Sequence, residues 1–177
     1  RAEAGSSRDG MADFDLSEVV RDMVELYEPV AEEAGVPLRL DVPATLPVHG
    51  SRELIGQALA NLVDNAIKHA PRAGADDGPV ANAPELLVKA AVHGDRVEIV
   101  VADRGPGIPE ADRGRVLDRF VRLEGARSRP GFGLGLSLAA AVARLHGGTL
   151  RLEDNAPGLR AILALPARPG GLHDGGG

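Results

Sequence analysis

The stretch Asn61-Leu62-Val63-Asp64-Asn65-Ala66-Ile67-Lys68-His69 decides the fold, because it combines helical periodicity with an unusual set of polar groups. Spacings of three and four residues return to one face of a helix with about 3.6 residues per turn. Four polar residues then share a narrow arc: Gln57, Asn61, Asn65 and Lys68. The opposite face is apolar: Ile55, Leu59, Leu62, Val63 and Ala66. Carboxamides and an ammonium group suit a metal-bound triphosphate, with an ordinary polar face as the alternative.

Elements upstream of this stretch follow from caps and alternation. Ser17 can cap a first helix, and Gly35 is placed to end it. Residues 37–42 alternate between apolar and charged side chains, which predicts a half-buried strand, and Pro43 and Pro47 bracket a connection to a short extended piece. The central helix begins near Ser51 and ends at Ala70, because the proline that follows disfavours helical geometry in the residue before it.

Downstream, strands and helices alternate. Two strands surround the tight Gly94-Asp95 turn and predict a hairpin, with Val97, Ile99 and Val101 on one face. The predicted elements are strands over 85–93 and 96–102, a short helix near 110–117, a long helix over 134–145, and strands over 149–153 and 159–165. This order indicates a mixed sheet covered on one face by helices.

Composition restricts the domain organisation and the classes of function. A length of 177 residues suits one domain, which we place at 14–166, between a linker over 1–13 and a tail over 167–177 that we expect to be disordered. The formal charge of −6 and the 2% aromatic content argue against nucleic acid as a partner. The chain has no cysteine, so thiolate metal sites and disulfides are excluded.

The same sequence indicates where the domain resides. No run approaches the roughly 18 apolar residues that span a bilayer, and the start lacks a signal-peptide pattern. We therefore expect a cytoplasmic domain without direct membrane contact. Since the sequence opens without an initiator Met, we expect a piece of a longer parent, for which an inner-membrane anchor stays open.

Two further segments place glycines where a ligand can approach the backbone. Asp103-Arg104-Gly105-Pro106-Gly107-Ile108-Pro109 puts a carboxylate at the end of an apolar strand. Gly131-Phe132-Gly133-Leu134-Gly135-Leu136 precedes a long helix, whose N-terminal amides favour phosphate. A structural turn and a flexible hinge are the respective alternatives. The P-loop pattern is absent, since no Lys-Ser or Lys-Thr pair follows the glycines.

In this order, the three segments resemble the N, G1 and G2 boxes of the histidine kinase branch of the ATPase superfamily that includes gyrase, the Hsp90 chaperones and MutL. Arg119-Phe120 resembles its F box, and Phe14-Asp15-Leu16 resembles the phrase that opens the domain. The resemblance covers about 14–166. It implies the Bergerat fold, an α/β two-layer sandwich with a mixed, largely antiparallel sheet covered on one face by three main helices, and it implies ATP and Mg²⁺ as cofactors.

The resemblance also implies residue roles. Asp103 should accept a hydrogen bond from the adenine amino group, while Gly105 and Gly107 let the backbone close around the base. Asn65 should ligate Mg²⁺ through its carboxamide oxygen. Asn61 and Lys68 are the implied catalytic residues. Further implied nucleotide contacts come from the N box, the G1 turn, the lid that follows Phe120 and the G2 box: Asn61, Lys68, His69, Ile108, Phe120, Arg122, Arg129, Gly131, Gly133, Leu134, Gly135 and Leu136.

Position 61 favours a kinase over an ATPase. Hydrolysing relatives carry there a Glu that activates water, whereas Asn61 cannot accept a proton at neutral pH. A protein-histidine kinase needs a phosphoacceptor, normally on a helix directly before Glu or Asp in a two-helix dimerisation segment. No histidine of the chain fits this description: His49, His69, His93, His146 or His173. We expect the acceptor on an upstream dimerisation domain absent from this chain or on another protein, with a response regulator as the further partner.

Two other functions stay open. The closing hairpin reads Pro157-Gly158-Leu159-Arg160-Ala161, where the family usually has a Gly-Thr step, and the lid is short. These departures keep a degenerate nucleotide-binding or partner-binding module in consideration. A serine-directed kinase of the same superfamily is the second alternative, and acid-stable phosphate on the acceptor would distinguish it.

Overall fold

The computed structural model describes residues 10–69, 85–105, 109–116 and 134–167 of the chain. In these ranges, the helices are α1 (Leu16–Glu33), α2 (Arg52–His69), α3 (Glu110–Val116) and α4 (Leu134–Leu145). The strands are β1 (Ala12–Asp15), β2 (Leu38–Asp41), β3 (Pro47–Gly50), β4 (Leu86–His93), β5 (Arg96–Ala102), β6 (Thr149–Asp154) and β7 (Leu159–Pro166). The predicted elements agree with these bounds to within two residues, and β1 is an addition.

The strands form two sheets. The larger has five strands in the order β2-β4-β5-β7-β6, and the smaller pairs β1 with β3. The β2–β4 pair is parallel, whereas the other three neighbouring pairs of the large sheet are antiparallel. The predicted mixed, largely antiparallel sheet is therefore confirmed.

Alternation along the strands decides which face of the large sheet meets the helices. Val97, Ile99 and Val101 are each at most 2% exposed and share one core with the apolar faces of α1, α2 and α4. Burying one such side chain stabilises the fold by about 1.5–3 kcal/mol. The opposite face carries a smaller buried cluster: Val100, Ala102 and Ile162. The main core thus joins one layer of helices to one layer of strands.

The start of α1 differs from the prediction. Asp15, and not Ser17, is the N-cap, because its Oδ1 accepts a hydrogen bond from the Ser17 amide at 3.0 Å. The same oxygen accepts from the Leu46 amide at 2.8 Å, so the cap also ties α1 to the chain before β3. Ser17 itself is fully buried in the first turn. Both residues are good caps, and the tertiary contact with Leu46 decides between them.

Helices α2 and α4 pack side by side and run in opposite directions. Near the start of α4, Gly135 lies against Asn61, since a Cβ built there would be 3.7 Å from the Asn61 Cβ. At the other end, the His146 ring lies against Gly50, and its Nε2 accepts a hydrogen bond from the Ser51 amide at 3.0 Å. This packing brings the N-terminal end of α4 to the middle of α2.

Both ends of the predicted domain continue into ordered structure in the described part of the chain. Strand β1 includes residues 12 and 13, which the sequence pattern assigns to the linker. Ala167, the first residue of the predicted tail, donates a backbone hydrogen bond to the Asp95 carbonyl oxygen at 2.9 Å. Residues 1–9 and 168–177 lie outside the described part. Within it, no helix is both long enough and apolar enough to cross a membrane.

Candidate nucleotide-binding site

The polar arc of α2 borders the buried face of the helix. Asn65 is a polar residue that is only 8% exposed, and its neighbours Leu62 and Ala66 belong to the apolar core. Asn61 is half-buried beside Gly135 of α4. The first amides of a helix have no intrahelical partner, so the start of α4 offers donors next to Asn61. The structure therefore brings the predicted N and G2 segments together.

Lys68 lies on the same helix but makes an ion pair with Asp64. The Lys68 Nζ is 3.0 Å from the Asp64 Oδ2, and the lysine side chain is 64% exposed. Both charges also act on Tyr27 of α1. The pKa of its hydroxyl is raised mainly by burial and further by Asp64, while Lys68 lowers it. One contact of the Lys68 ammonium group is therefore made with Asp64, and its three N–H donors allow a further contact with a phosphate.

His69 ends α2 and meets the Asp103 turn. Its Nδ1 lies 2.8 Å from the Asn65 carbonyl oxygen, which can only accept, so Nδ1 carries the proton. A Cβ at Gly105 would overlap the His69 carbonyl oxygen, so only glycine lets the turn approach α2 so closely. This contact joins the N segment to the G1 segment.

Asp103 is the buried carboxylate of the site, at 4% exposed. Its Oδ1 accepts hydrogen bonds from the Gly105 amide at 2.8 Å and from the Leu159 amide at 3.1 Å. Burial raises the pKa of Asp103, while these two hydrogen bonds and the nearby His69 lower it. Among the described residues, no hydrogen bond to its Oδ2 is found. One oxygen is thus fixed, and the second can receive a donor from a ligand.

Asn155 and Gly158, in the connection between β6 and β7, also support Asp103, a role that the sequence pattern did not indicate. The Asn155 side-chain amide donates to the Asp103 carbonyl oxygen at 2.5 Å. Gly158 has φ +111°, and a Cβ there would overlap the same carbonyl oxygen. An Asn three residues before a Gly between two strands is a turn signal, but it does not indicate a partner 52 residues away.

This arrangement matches known proteins. The profile of the family described as "Histidine kinase-, DNA gyrase B-, and HSP90-like ATPase" matches residues 50–169. The chain belongs to this family. The mycobacterial sensor histidine kinase MprB has a solved structure that is 30% identical with a TM-score of 0.71, and the match covers 89% of this chain and 98% of that one.

Two other similar proteins extend the comparison. Sensor-like histidine kinase SenX3 of Mycobacterium tuberculosis is 36% identical over 177 residues, covering 98% of this chain and 41% of SenX3. Full-length ShkA, solved in complex with AMPPNP, is 27% identical with a TM-score of 0.71, covering 89% of this chain and 31% of that one. The chain therefore spans less than half the length of SenX3.

Several family positions predicted to bind nucleotide lie outside the described residues: Gly107, Ile108, Phe120, Arg122, Arg129, Gly131 and Gly133. Leu134 is the first residue of α4. Leu136 is 1% exposed within the main core, so it can offer a ligand only its backbone. Among the described residues, α2 is the element that the other two segments contact: the Asp103 turn at His69 and the start of α4 at Asn61.

The side chains around the site determine which kind of metal ion it could hold. Within the described ranges, no group of three or more His, Cys, Asp or Glu side chains could hold a metal. Mg²⁺ usually keeps several waters and takes few protein ligands in addition to substrate phosphates. A single carboxamide oxygen, that of Asn65, beside donors for phosphate fits an ion that arrives with a nucleotide.

Proposed function

We propose that this domain binds Mg-ATP between α2, the Asp103 turn and the start of α4, and transfers the γ-phosphate to a histidine outside this chain. The buried Asp103 carboxylate supports the proposal most strongly, because two backbone amides fix one oxygen and leave the other for a donor. The amino group of adenine is such a donor. The AMPPNP bound to ShkA, a relative of similar fold, adds support.

The phosphates would lie between Asn61 and the N-terminal end of α4, which Gly135 brings together. Helix N-termini favour anions through unpaired amides and the helix dipole. Mg²⁺, when bound, would offset charge on the triphosphate, and Asn65 would hold it through its carboxamide oxygen. The exposed ammonium group of Lys68 would help to neutralise the transferring phosphoryl group.

Transfer to protein is favoured over hydrolysis by the residue at position 61. A general base must accept a proton from water, and the Asn61 carboxamide does not do so at neutral pH. In transfer, the bond from the γ-phosphorus to the bridging oxygen of ADP breaks, and a bond to an imidazole nitrogen of the acceptor forms. The attacking nitrogen is the unprotonated one, and the proton on the other ring nitrogen leaves to a base outside this domain.

The acceptor and the partners would belong to the rest of the parent protein. Of the histidines in the described part, His146 uses both ring nitrogens in hydrogen bonds, and His69 ends the helix of the site. We place the acceptor on an upstream dimerisation and histidine-phosphotransfer domain, from which a response regulator receives the phosphate. The ATP-binding domain itself would lie in the cytoplasm.

A phosphotransfer assay in trans tests this function. The domain is incubated with ATP labelled at the γ-phosphate and with the two-helix dimerisation segment of a sensor histidine kinase relative. We expect acid-labile label on the segment and none after its acceptor His is replaced by Gln. Acid-stable label would instead favour a serine-directed kinase, and nucleotide binding without transfer to any matched segment would favour a binding module.

A further inference from the structure

The connection between β6 and β7 holds the Asp103 residue at three of its atoms. The Leu159 amide donates to the Asp103 Oδ1, the Asp103 amide donates to the Leu159 carbonyl at 3.0 Å, and the Asn155 side chain donates to the Asp103 carbonyl. The Asn155 amide in turn donates to the Gly158 carbonyl at 3.0 Å, which closes the connection on itself. This segment, Asn155–Gly158, therefore acts as a support for the turn.

One of these contacts comes from a side chain. Leu159 contributes only backbone groups, and Gly158 contributes close approach, since any Cβ there would overlap the Asp103 carbonyl oxygen. The Asn155 carboxamide is thus the contact that a substitution can remove while the strand pairing between β6 and β7 stays in place.

We propose that Asn155 is a positioning residue that sets the preference for adenine by holding the Asp103 backbone, and this inference rests on the proposed nucleotide-binding function. A hydrogen bond weakens steeply when the angle at its hydrogen, between donor and acceptor, falls far below 180°. Without Asn155, the peptide that follows Asp103 can rotate, which turns the direction of Oδ2 away from the base. Asn155 donates to the backbone carbonyl oxygen of Asp103 and not to its carboxylate, so it acts on the base only through Asp103.

The test compares two ligands that differ in one group. ADP carries the adenine amino group, and purine riboside 5′-diphosphate lacks it. We expect Asn155→Ala in the full 177-residue chain to weaken ADP binding by about threefold to tenfold, since a typical hydrogen bond of this kind is lost. Binding of purine riboside diphosphate should change by less than about twofold. Isothermal titration calorimetry measures both.

Three further variants make the test decisive. Asn155→Asp keeps the shape of the side chain but loses the donor, so it should weaken ADP binding selectively, as expected for Asn155→Ala. It replaces Asn155→Ala in the test if that variant folds poorly. Glu153→Ala, which removes an exposed side chain paired with Arg151 in the same hairpin, should leave both ligands unchanged. In Asp103→Asn, adding Asn155→Ala should have no further effect on ADP, because both act on one contact.

Equal weakening of the two ligands, or additive losses in the double variant, would overturn the role of Asn155. The proposed nucleotide site fails separately: if Asp103→Asn binds ADP as tightly as the parent chain does, adenine does not lie on this carboxylate.

Discussion

At Asp103, burial and hydrogen bonding act in opposite directions on one carboxyl group. Burial raises its pKa, and the amides of Gly105 and Leu159, with His69 nearby, lower it in part. Burying a charged carboxylate to 4% exposure removes it from water, which costs the unliganded fold free energy. Such a group is expected where a ligand supplies the missing donor.

Replacing Asp103 by Asn should weaken ADP binding. A hydrogen bond to a charged acceptor contributes about 1.5–3 kcal/mol, which corresponds to about a 10- to 150-fold change in affinity. Asp95→Asn, in the exposed turn between β4 and β5, removes the same charge away from the site and should leave affinity unchanged. Calorimetry on the two variants distinguishes a local contact from a general effect of charge.

The same substitution should stabilise the protein without ligand at neutral pH. The raised pKa means that the folded state favours protonated Asp103, so stability falls as pH rises from the ordinary Asp pKa through the raised one. Asn keeps the acceptor for both amides and removes the buried charge. The melting temperature of Asp103→Asn should exceed that of the parent at about pH 7, and the gap should shrink towards about pH 4. A constant gap would exclude titration of Asp103 as the cause.

Asn65→Ala should reduce chiefly the Mg²⁺-dependent part of ATP binding, because its carboxamide oxygen is the expected metal ligand. Even outer-shell partners of metal ligands contribute about tenfold to 100-fold to metal affinity, so loss of a direct ligand should weaken Mg²⁺-dependent binding by at least about tenfold. Titrations with and without Mg²⁺ measure the difference, with Gln57→Ala on the exposed part of the same arc as control. Equal losses in both titrations would contradict metal ligation by Asn65.

At the scale of elements, helix and strand bounds follow from caps, prolines and periodicity. The predicted cap of α1 is wrong, because Asp15 and Ser17 are both good caps and only the contact with Leu46 selects Asp15. The ion pair of Lys68 with Asp64 follows from their spacing of four residues, yet the family resemblance assigns Lys68 directly to phosphate.

The start of α2 and the end of α4 approach so closely at Gly50 that there is no room for a side chain there. A Cβ there would be 2.6 Å from the Cδ2 of His146 and 3.1 Å from the Cδ1 of Ile55, so Gly50→Ala must displace the ring from the Ser51 amide. Overpacking of this kind costs about 1–3 kcal/mol. Urea unfolding should show this loss.

Gly56 is the matched control, because its Cβ would lie at an ordinary 3.8 Å from the Cγ1 of Val19 within α2's packing against α1. Gly56→Ala should therefore stabilise the protein by about 0.5–1 kcal/mol. If Gly50→Ala raised the urea midpoint as Gly56→Ala is expected to do, the role assigned to His146 packing would be wrong.

At the scale of the whole molecule, the site is assembled from segments far apart in the chain. Periodicity and glycine positions indicate Asn61, Asn65 and Asp103 as candidates, and the family resemblance assigns their roles. The fold brings their segments together. The support from Asn155 could not be predicted, because nothing local to it indicates the Asp103 carbonyl 52 residues earlier. The predicted roles of the lid residues stay predictions, since 117–133 lie outside the described part.

The central claim is that this domain binds a Mg²⁺-nucleotide at the Asp103 and Asn65 site. Its most direct test is calorimetric titration of the 177-residue chain with ADP and with AMPPNP, each with and without Mg²⁺. We predict binding of both nucleotides, with AMPPNP strengthened by Mg²⁺. Absence of binding at millimolar nucleotide would contradict the claim and would leave a partner-binding role for the domain.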